Sequence, residues 1–229
     1  MSKPRPSVQI ILQQLEAERK PEYLEHMQHF GIQGENMLGI RMPVLRAMAK
    51  TYAKDHKVAL ELWKHDIHEA KLMAILMDEA KKVNEAQMEN WAQDFNSWDV
   101  CDQACNNLFC KTRYAYDKAF AWSKREEEYV KRAGFVLMAT LAIHDKKGED
   151  SKLEAFLPYI EAEATDERNF VKKAVNWALR QIGKRSAYLH TRALPLAEAL
   201  SHHESPSARW IGSDALRELG SEKVLKRLA

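Results

Sequence analysis

Apolar side chains recur along this chain at intervals of three and four, the period that sets one face of an α-helix against a core. No stretch of any length alternates with the period of two that marks a strand. Helices are predicted at about 5–19, 43–49, 67–82, 85–95, 98–110, 114–123, 126–143, 151–162, 167–183, 187–200, 206–218 and 221–228. The 43–49 segment opens with Pro43 at a first helical position, followed by Val44, Leu45, Ala47 and Met48 at helical spacing. Of the eight glycines and seven prolines, Pro21, Gly31, Gly34, Gly39, Gly148 and Gly220 fall between such segments. Residues 31–42, with Gly31, Gly34 and Gly39, form the one longer irregular loop, and Lys146 to Asp150 a shorter polar break. The expectation is an all-α chain forming a single domain over 1–229, with residues 1–6 a flexible polar N-terminus.

The helical pattern also repeats. VKRAGFVLMATLA (130–142) aligns with VKKAVNWALRQIG (171–183) 41 residues later, and SARWIGSDALREL (207–219) follows after a slightly shorter step. A helix-pair unit recurring near 40 residues is the period of HEAT and armadillo-like arrays. Such units bury their apolar faces only against neighbours, and stacking curves them into an α-α superhelix with a concave binding surface. A non-repetitive helical bundle is the alternative.

Composition narrows the class. A chain of 229 residues, 45% hydrophobic and 30% charged, is neither disordered nor too small for a sizeable core. No apolar run is long enough to span a bilayer, and the N-terminus lacks the apolar region of a signal peptide. Three cysteines, an odd number, fit reduced thiols and a cytoplasmic location. The net charge of +2 implies no polyanion partner by itself, but its distribution is polarised. Residues 61–103 carry ten acids against four lysines, whereas residues 168–192 carry seven lysines and arginines and no acid. A basic segment in a nearly neutral chain steers polyanions, or it covers a solvated helix face.

The segment FNSWDVCDQACNNLF, 95–109, holds the most unusual chemistry. Asn96 or Ser97 would cap a helix, and Asp99 would lie in its first turn, where the macrodipole favours an acid. Trp98 and Asp102, four apart, share one helix face. An indole beside a carboxylate makes a poor core and a good surface for a sugar with positive charge developing on it. Cys101, Cys105 and Cys110 lack ligand spacing and a partner histidine, so buried core positions are expected and no metal. The scattered histidines support no nucleophile, and no glycine loop cradles a phosphate. In the basic segment, Trp177 lies four residues after Lys173 and three before Arg180, with Lys172, Lys184 and Arg185 nearby, as a groove against a phosphate backbone requires. A tryptophan packed between repeats is the alternative. Arg132 occupies the repeat position matched by Lys173.

NSWDVCD, VKRAGFVLMA, NFVKKAVNWALRQIGKR and GENMLGIRMPVLR resemble the corresponding segments of the AlkD family of DNA alkylation-repair glycosylases, in matching order from about residue 20 onward. The resemblance implies HEAT-like repeats and hydrolysis of the N-glycosidic bond of cationic N3- or N7-alkylated purines in duplex DNA, without base flipping or a cofactor. Asp102 matches the catalytic aspartate, Trp98 and Trp177 the aromatic residues that cradle the deoxyribose, and Arg132 the backbone-contacting arginine. His26 falls nearest the family's N-terminal tyrosine, with Tyr23 close by. The partner implied is alkylated double-stranded DNA, bound by a monomer. A non-enzymatic binder of damaged or branched DNA and a protein-binding repeat scaffold are the alternatives, because fold alone does not guarantee catalysis.

Overall fold

The computed structural model describes residues 3–5, 7–32, 34 and 36–228. Of the N-terminal segment 1–6, Met1, Ser2 and Pro6 lie outside the described residues, and the carbonyl of Pro4 accepts from the Ala53 N–H at 3.1 Å. Among the described residues all regular structure is helical. The chain divides into two compact units, Met1–Thr112 and Arg113–Ala229.

The first unit contains α1 (Val8–Ala17), α2 (Leu24–His29), α3 (Met42–Thr51), α4 (His56–Trp63), α5 (His68–Met77), α6 (Glu85–Gln93) and α7 (Trp98–Asn107). Short 3-10 turns lie at Pro21–Tyr23 and Phe109–Lys111. Helix α5 is apolar nearly all round, as a helix enclosed by others must be, and α1, α3, α4 and α7 all pack against it. Its one fully buried acid, Glu69, faces the irregular loop. Oε1 accepts from the N–H groups of Gly39 and Ile40 at 2.8 and 3.1 Å, and Oε2 accepts from Leu38 at 2.9 Å. Three backbone donors that no helix or strand could satisfy are thereby paired. Gly39 is needed there: its φ is +79°, and a Cβ would stand 2.1 Å from the carbonyl oxygen of Lys20. At the other end of α5 the buried carboxylate of Asp78 accepts from Gln87 Nε2 at 2.6 Å and meets His56 Nδ1 at 2.7 Å, tying α6 and α4 to the same helix.

The second unit contains α8 (Ala115–Trp122), α9 (Glu128–His144), α10 (Asp150–Glu154), α11 (Leu157–Ala162), α12 (Asn169–Gly183), α13 (Ala187–Ser201), α14 (Pro206–Leu219) and α15 (Glu222–Leu228). Every residue of α9 from Val130 to Ala142 is buried, and α9 packs between α8 and α12. Helix α12 continues onto α13 and α14, which pack on each other. Successive pairs joined by short loops, α8 with α9 and α13 with α14, are the helix-pair units that the internal repeat predicts. Close approach is built into them: a Cβ on Gly134 of α9 would lie 2.4 Å from the Ser123 nitrogen at the end of α8.

The structure departs from the predicted helices in four places. Helices α2 and α4 lie where none is predicted. The first is only six residues long, and the second is announced by Asp55, whose carboxylate caps the N–H groups of Lys57 and Val58. The 151–162 helix is broken at Ala155 and Phe156, with Pro158 in the first turn of its second half. The 67–82 helix stops at Met77, where Asp78 turns extended and its side chain takes up the three contacts of a buried anchor. Replacing Glu69 with glutamine leaves one oxygen for three donors and sets an NH2 against an N–H. Glu69→Gln is expected to lower the unfolding free energy by about 3 kcal/mol, measured by urea denaturation.

Candidate functional site

Helix α7 divides its residues sharply between two faces. Val100, Cys101, Ala104 and Cys105 are fully buried, and burial pushes the Cys105 thiol well above its ordinary range. Trp98, Asp102 and Asn106, at i, i+4 and i+8, lie on the half-exposed face. Asp99 lies in the first turn of α7, as the sequence predicts, and it has a partner that spacing alone does not show. It is buried, it accepts from Ser97 Oγ at 2.6 Å, and its Oδ2 lies 2.8 Å from Nε2 of His68 at the first position of α5. Ser97 therefore begins the helix with its hydroxyl turned to Asp99 rather than to a backbone N–H. Burial opposes charge on both partners, but their mutual bond and attraction outweigh it, so His68 is raised and Asp99 lowered.

The indole of Trp98 is held in place by its Nε1–H, which donates to the carbonyl of Phe30 at 3.0 Å. Beside it opens a pocket of about 390 Å³ lined by Tyr23, His26, Phe30, Arg41 and Leu72 among others, with Asp99 the one acid among the described residues of its wall. Three rings run along that wall. The centroids of Tyr23 and His26 lie 4.8 Å apart, and those of His26 and Phe30 also 4.8 Å. The Arg41 guanidinium stands 6.0 Å from the Tyr23 ring. On α3, exposed Arg46 donates to Gln103 Oε1 of α7 at 3.2 Å, which brings a cation to the residue next to Asp102 in sequence.

In the second unit, Trp177 is half-buried on α12, with exposed Lys173 one turn before it. With the Gln181 amide oriented to satisfy its neighbours, its oxygen accepts from Trp177 Nε1 and from Lys184 Nζ, both at 3.1 Å. The other cations of the basic segment have protein partners. Arg180 and Lys184 both pair with Glu218 of α14, and that pairing, against the effect of burial, keeps the Glu218 carboxyl low. Lys172 lies over the Trp210 ring at 5.2 Å. Arg185 donates to the carbonyls of Ala142 and Asp145 at the end of α9. Arg132 is buried and donates to the Phe170 carbonyl. Thus α12 offers Lys173 and Trp177 on one face.

Of this face, sequence reasoning named His26 with Tyr23 close by, and passed over Phe30, Arg41, Arg46 and the assembly of the three rings on one wall. The i, i+3, i+7 spacing of the three rings was the available signal. Among the described residues no group of histidine, cysteine or acidic side chains is placed to hold a metal, and no helix is long and apolar enough to cross a membrane.

Helix pairs repeated along the chain, with an indole and a carboxylate on one exposed face, define a helical-repeat protein with the means to meet a nucleic acid. The model of the DNA alkylation repair enzyme family matches residues 11–219, and the chain belongs to that family. Among solved structures it resembles a member of a new family of proteins related to the HEAT-like repeat DNA glycosylases with affinity for branched DNA structures. Identity is 19%, 94% of this chain and 97% of that one are covered, and the TM-score is 0.76, which establishes a HEAT-like repeat fold. A second, an engineered protein, aligns at 15% identity over 77% of this chain and 90% of its own, with a TM-score of 0.40. No curated protein matches the chain.

The His68–Asp99 pair makes stability depend on pH. The raised His68 contributes stability that is complete below its ordinary value of 6.5 and is lost as pH climbs through the folded value. The lowered Asp99 contributes stability present above its ordinary 3.8 and lost as pH falls through its folded value. Denaturation of His68→Gln beside the wild type should show the difference between them largest between pH 3.8 and 6.5 and shrinking on the alkaline side.

Proposed function

We propose that this protein is a metal-independent DNA glycosylase that releases N3- or N7-alkylated purines from duplex DNA, with Asp102 as its catalytic carboxylate. The observation that carries the reading is the pairing of Trp98 and Asp102 one turn apart on the half-exposed face of α7, in a chain of the DNA alkylation repair enzyme family. An alkylated purine is already a cation, so it leaves as a neutral base without a strong general acid. The electron pair of the N-glycosidic bond goes to the base, and C1′ of the deoxyribose takes on oxocarbenium character. Asp102 stabilises that positive charge and accepts a proton from the water whose oxygen adds to C1′, leaving an abasic sugar. The Trp98 indole, fixed by its bond to Phe30, packs on the sugar and keeps water from screening the carboxylate. Trp177, on the second unit, is assigned by the family resemblance to contact with a deoxyribose of the bound DNA. The lesion stays stacked in the duplex, and the protein acts as a monomer on alkylated double-stranded DNA.

Backbone affinity is assigned first to Lys173, which is exposed beside Trp177, then to Arg41 and Arg46, exposed on the first unit. Arg132, Lys172, Arg180, Lys184 and Arg185 serve mainly to hold the helices that present these groups. His26 takes the place of an N-terminal aromatic contact, ringed by Tyr23 and Phe30.

A second reading is a non-enzymatic binder of branched DNA. It is favoured by the affinity for branched structures of the protein that this chain matches over 94% of its length. The two are separated by base release from methylated duplex DNA. The wild type is expected to free 7-methylguanine or 3-methyladenine, and Asp102→Asn to lower the single-turnover rate by about 100-fold or more while duplex binding persists. Full excision by Asp102→Asn would overturn the mechanism, and no release by the wild type would favour the binder. Lys173→Ala should weaken duplex binding and reduce the slope of log affinity against log salt by about one.

A further inference from the structure

The cavity beside Trp98 has no role in the chemistry proposed for Asp102. Trp98 contributes to its wall, whereas Asp102, one turn further along α7, does not. A volume of about 390 Å³ is that of a site for a small planar ligand, and its lining is mostly apolar and aromatic. Phe30, beside it, is 56% exposed, a large apolar surface left in water. The indole of Trp98 is pinned by the Phe30 carbonyl, so one stacking surface is set before any ligand arrives. The Asp99 side chain, 10% exposed, accepts from Ser97 on one oxygen and meets His68 on the other, with a further bond from the Val100 backbone, and still retains acceptor capacity for an amino group. Exposed Arg41 supplies a cation in the same wall.

We propose that this pocket receives one unpaired purine base of the bound DNA, drawn from within about two nucleotides of the sugar served by Trp98 and Asp102. One helical turn is about 5.4 Å, and successive nucleotides of a strand are about 3.4 Å apart, so the two subsites are neighbours along one strand. Trp98 stands between them. The rings stack on the base, the Asp99 carboxylate accepts from its exocyclic amino group, and Arg41 meets the phosphate of the same nucleotide. Single-base recognition of this kind distinguishes the pocket from a groove that holds an apolar protein side chain, which would need neither the carboxylate nor the arginine.

The inference rests on the DNA-binding part of the proposed function, and one experiment separates the two. Affinity is measured for a duplex with one extra unpaired adenine and for the same duplex with an abasic tetrahydrofuran residue in its place. The adenine duplex is expected to bind about 10-fold tighter or more. An unpaired 2-aminopurine at that position should lose fluorescence on binding. Both signals should collapse in Phe30→Ala, whose exposed site leaves folding intact, as a thermal melt would verify. Equal affinities for the two duplexes, or a preference undiminished in Phe30→Ala, would overturn the pocket assignment. Release of 7-methylguanine is followed with the same preparations. Release without base preference removes the pocket and leaves the glycosylase, and base preference without release does the reverse.

Discussion

The first unit depends on one buried carboxylate. Glu69 lies in the interior with three backbone N–H groups of the 38–40 loop as its partners, and that arrangement decides where the loop runs. A buried carboxylate left without donors is far costlier than any single contact the loop makes, so helix and loop are held as one body. Arg41, Met42 and Pro43 follow directly, which places a wall of the pocket and the first turn of α3. The Lys20 N–H donates to the Leu38 carbonyl at 2.8 Å, so the segment leading into Tyr23 is tied to the same loop. The ring face opposite Trp98 is thus positioned by an acid that touches none of those rings.

Two aspartates three residues apart on α7 show how helix geometry assigns different work to the same side chain. Three residues carry a side chain about 300° around the axis, enough to move it from the core edge to the half-exposed face. Asp99 has a histidine beneath it, and burial without that partner would force its carboxyl to stay protonated. Asp102 is one step past that edge, on the face of Trp98 and beside the Arg46–Gln103 bond. An acid proposed to stabilise transient positive charge on a sugar must be within reach of that sugar, and the half-exposed face meets that condition where the core edge does not.

The repeat period and the all-α class were legible because they are properties of spacing, which survives in the sequence whatever the partners are. VKRAGF and VKKAVN lie at matching places on α9 and α12, and those two helices pack together. The face of α7 that carries Trp98 and Asp102 was legible for the same reason. Partners distant in sequence were not. Asp99 meets His68 31 residues away, and Glu69 meets Leu38 at the same separation, so local rules of capping and dipole placed Asp99 in the first turn of α7 but could not show its partner. Helix α2 was missed because six residues are too few for periodicity to register, although Tyr23, His26 and Phe30 were in plain sight.

The basic segment 168–192 shows the same limit with a consequence for function. From composition its seven cations are equivalent, and a strong polyanion surface follows. In the fold, Glu218, Asp166 and Glu154 each hold an arginine of that segment, and the carbonyls at the end of α9 hold another. A cation already satisfied by a carboxylate contributes less to a phosphate contact, because the first pairing must be broken or shared. What the pairs achieve instead is rigidity. Arg180 and Lys184 bind α12 to α14 through one acid, Gln181 links Lys184 to the Trp177 indole, and the ring is held at a defined angle beside exposed Lys173. Charge in this segment therefore acts mainly by presenting one tryptophan and one lysine accurately, and under the proposed function such a segment would meet few phosphates and leave specificity to the residues at the sugar.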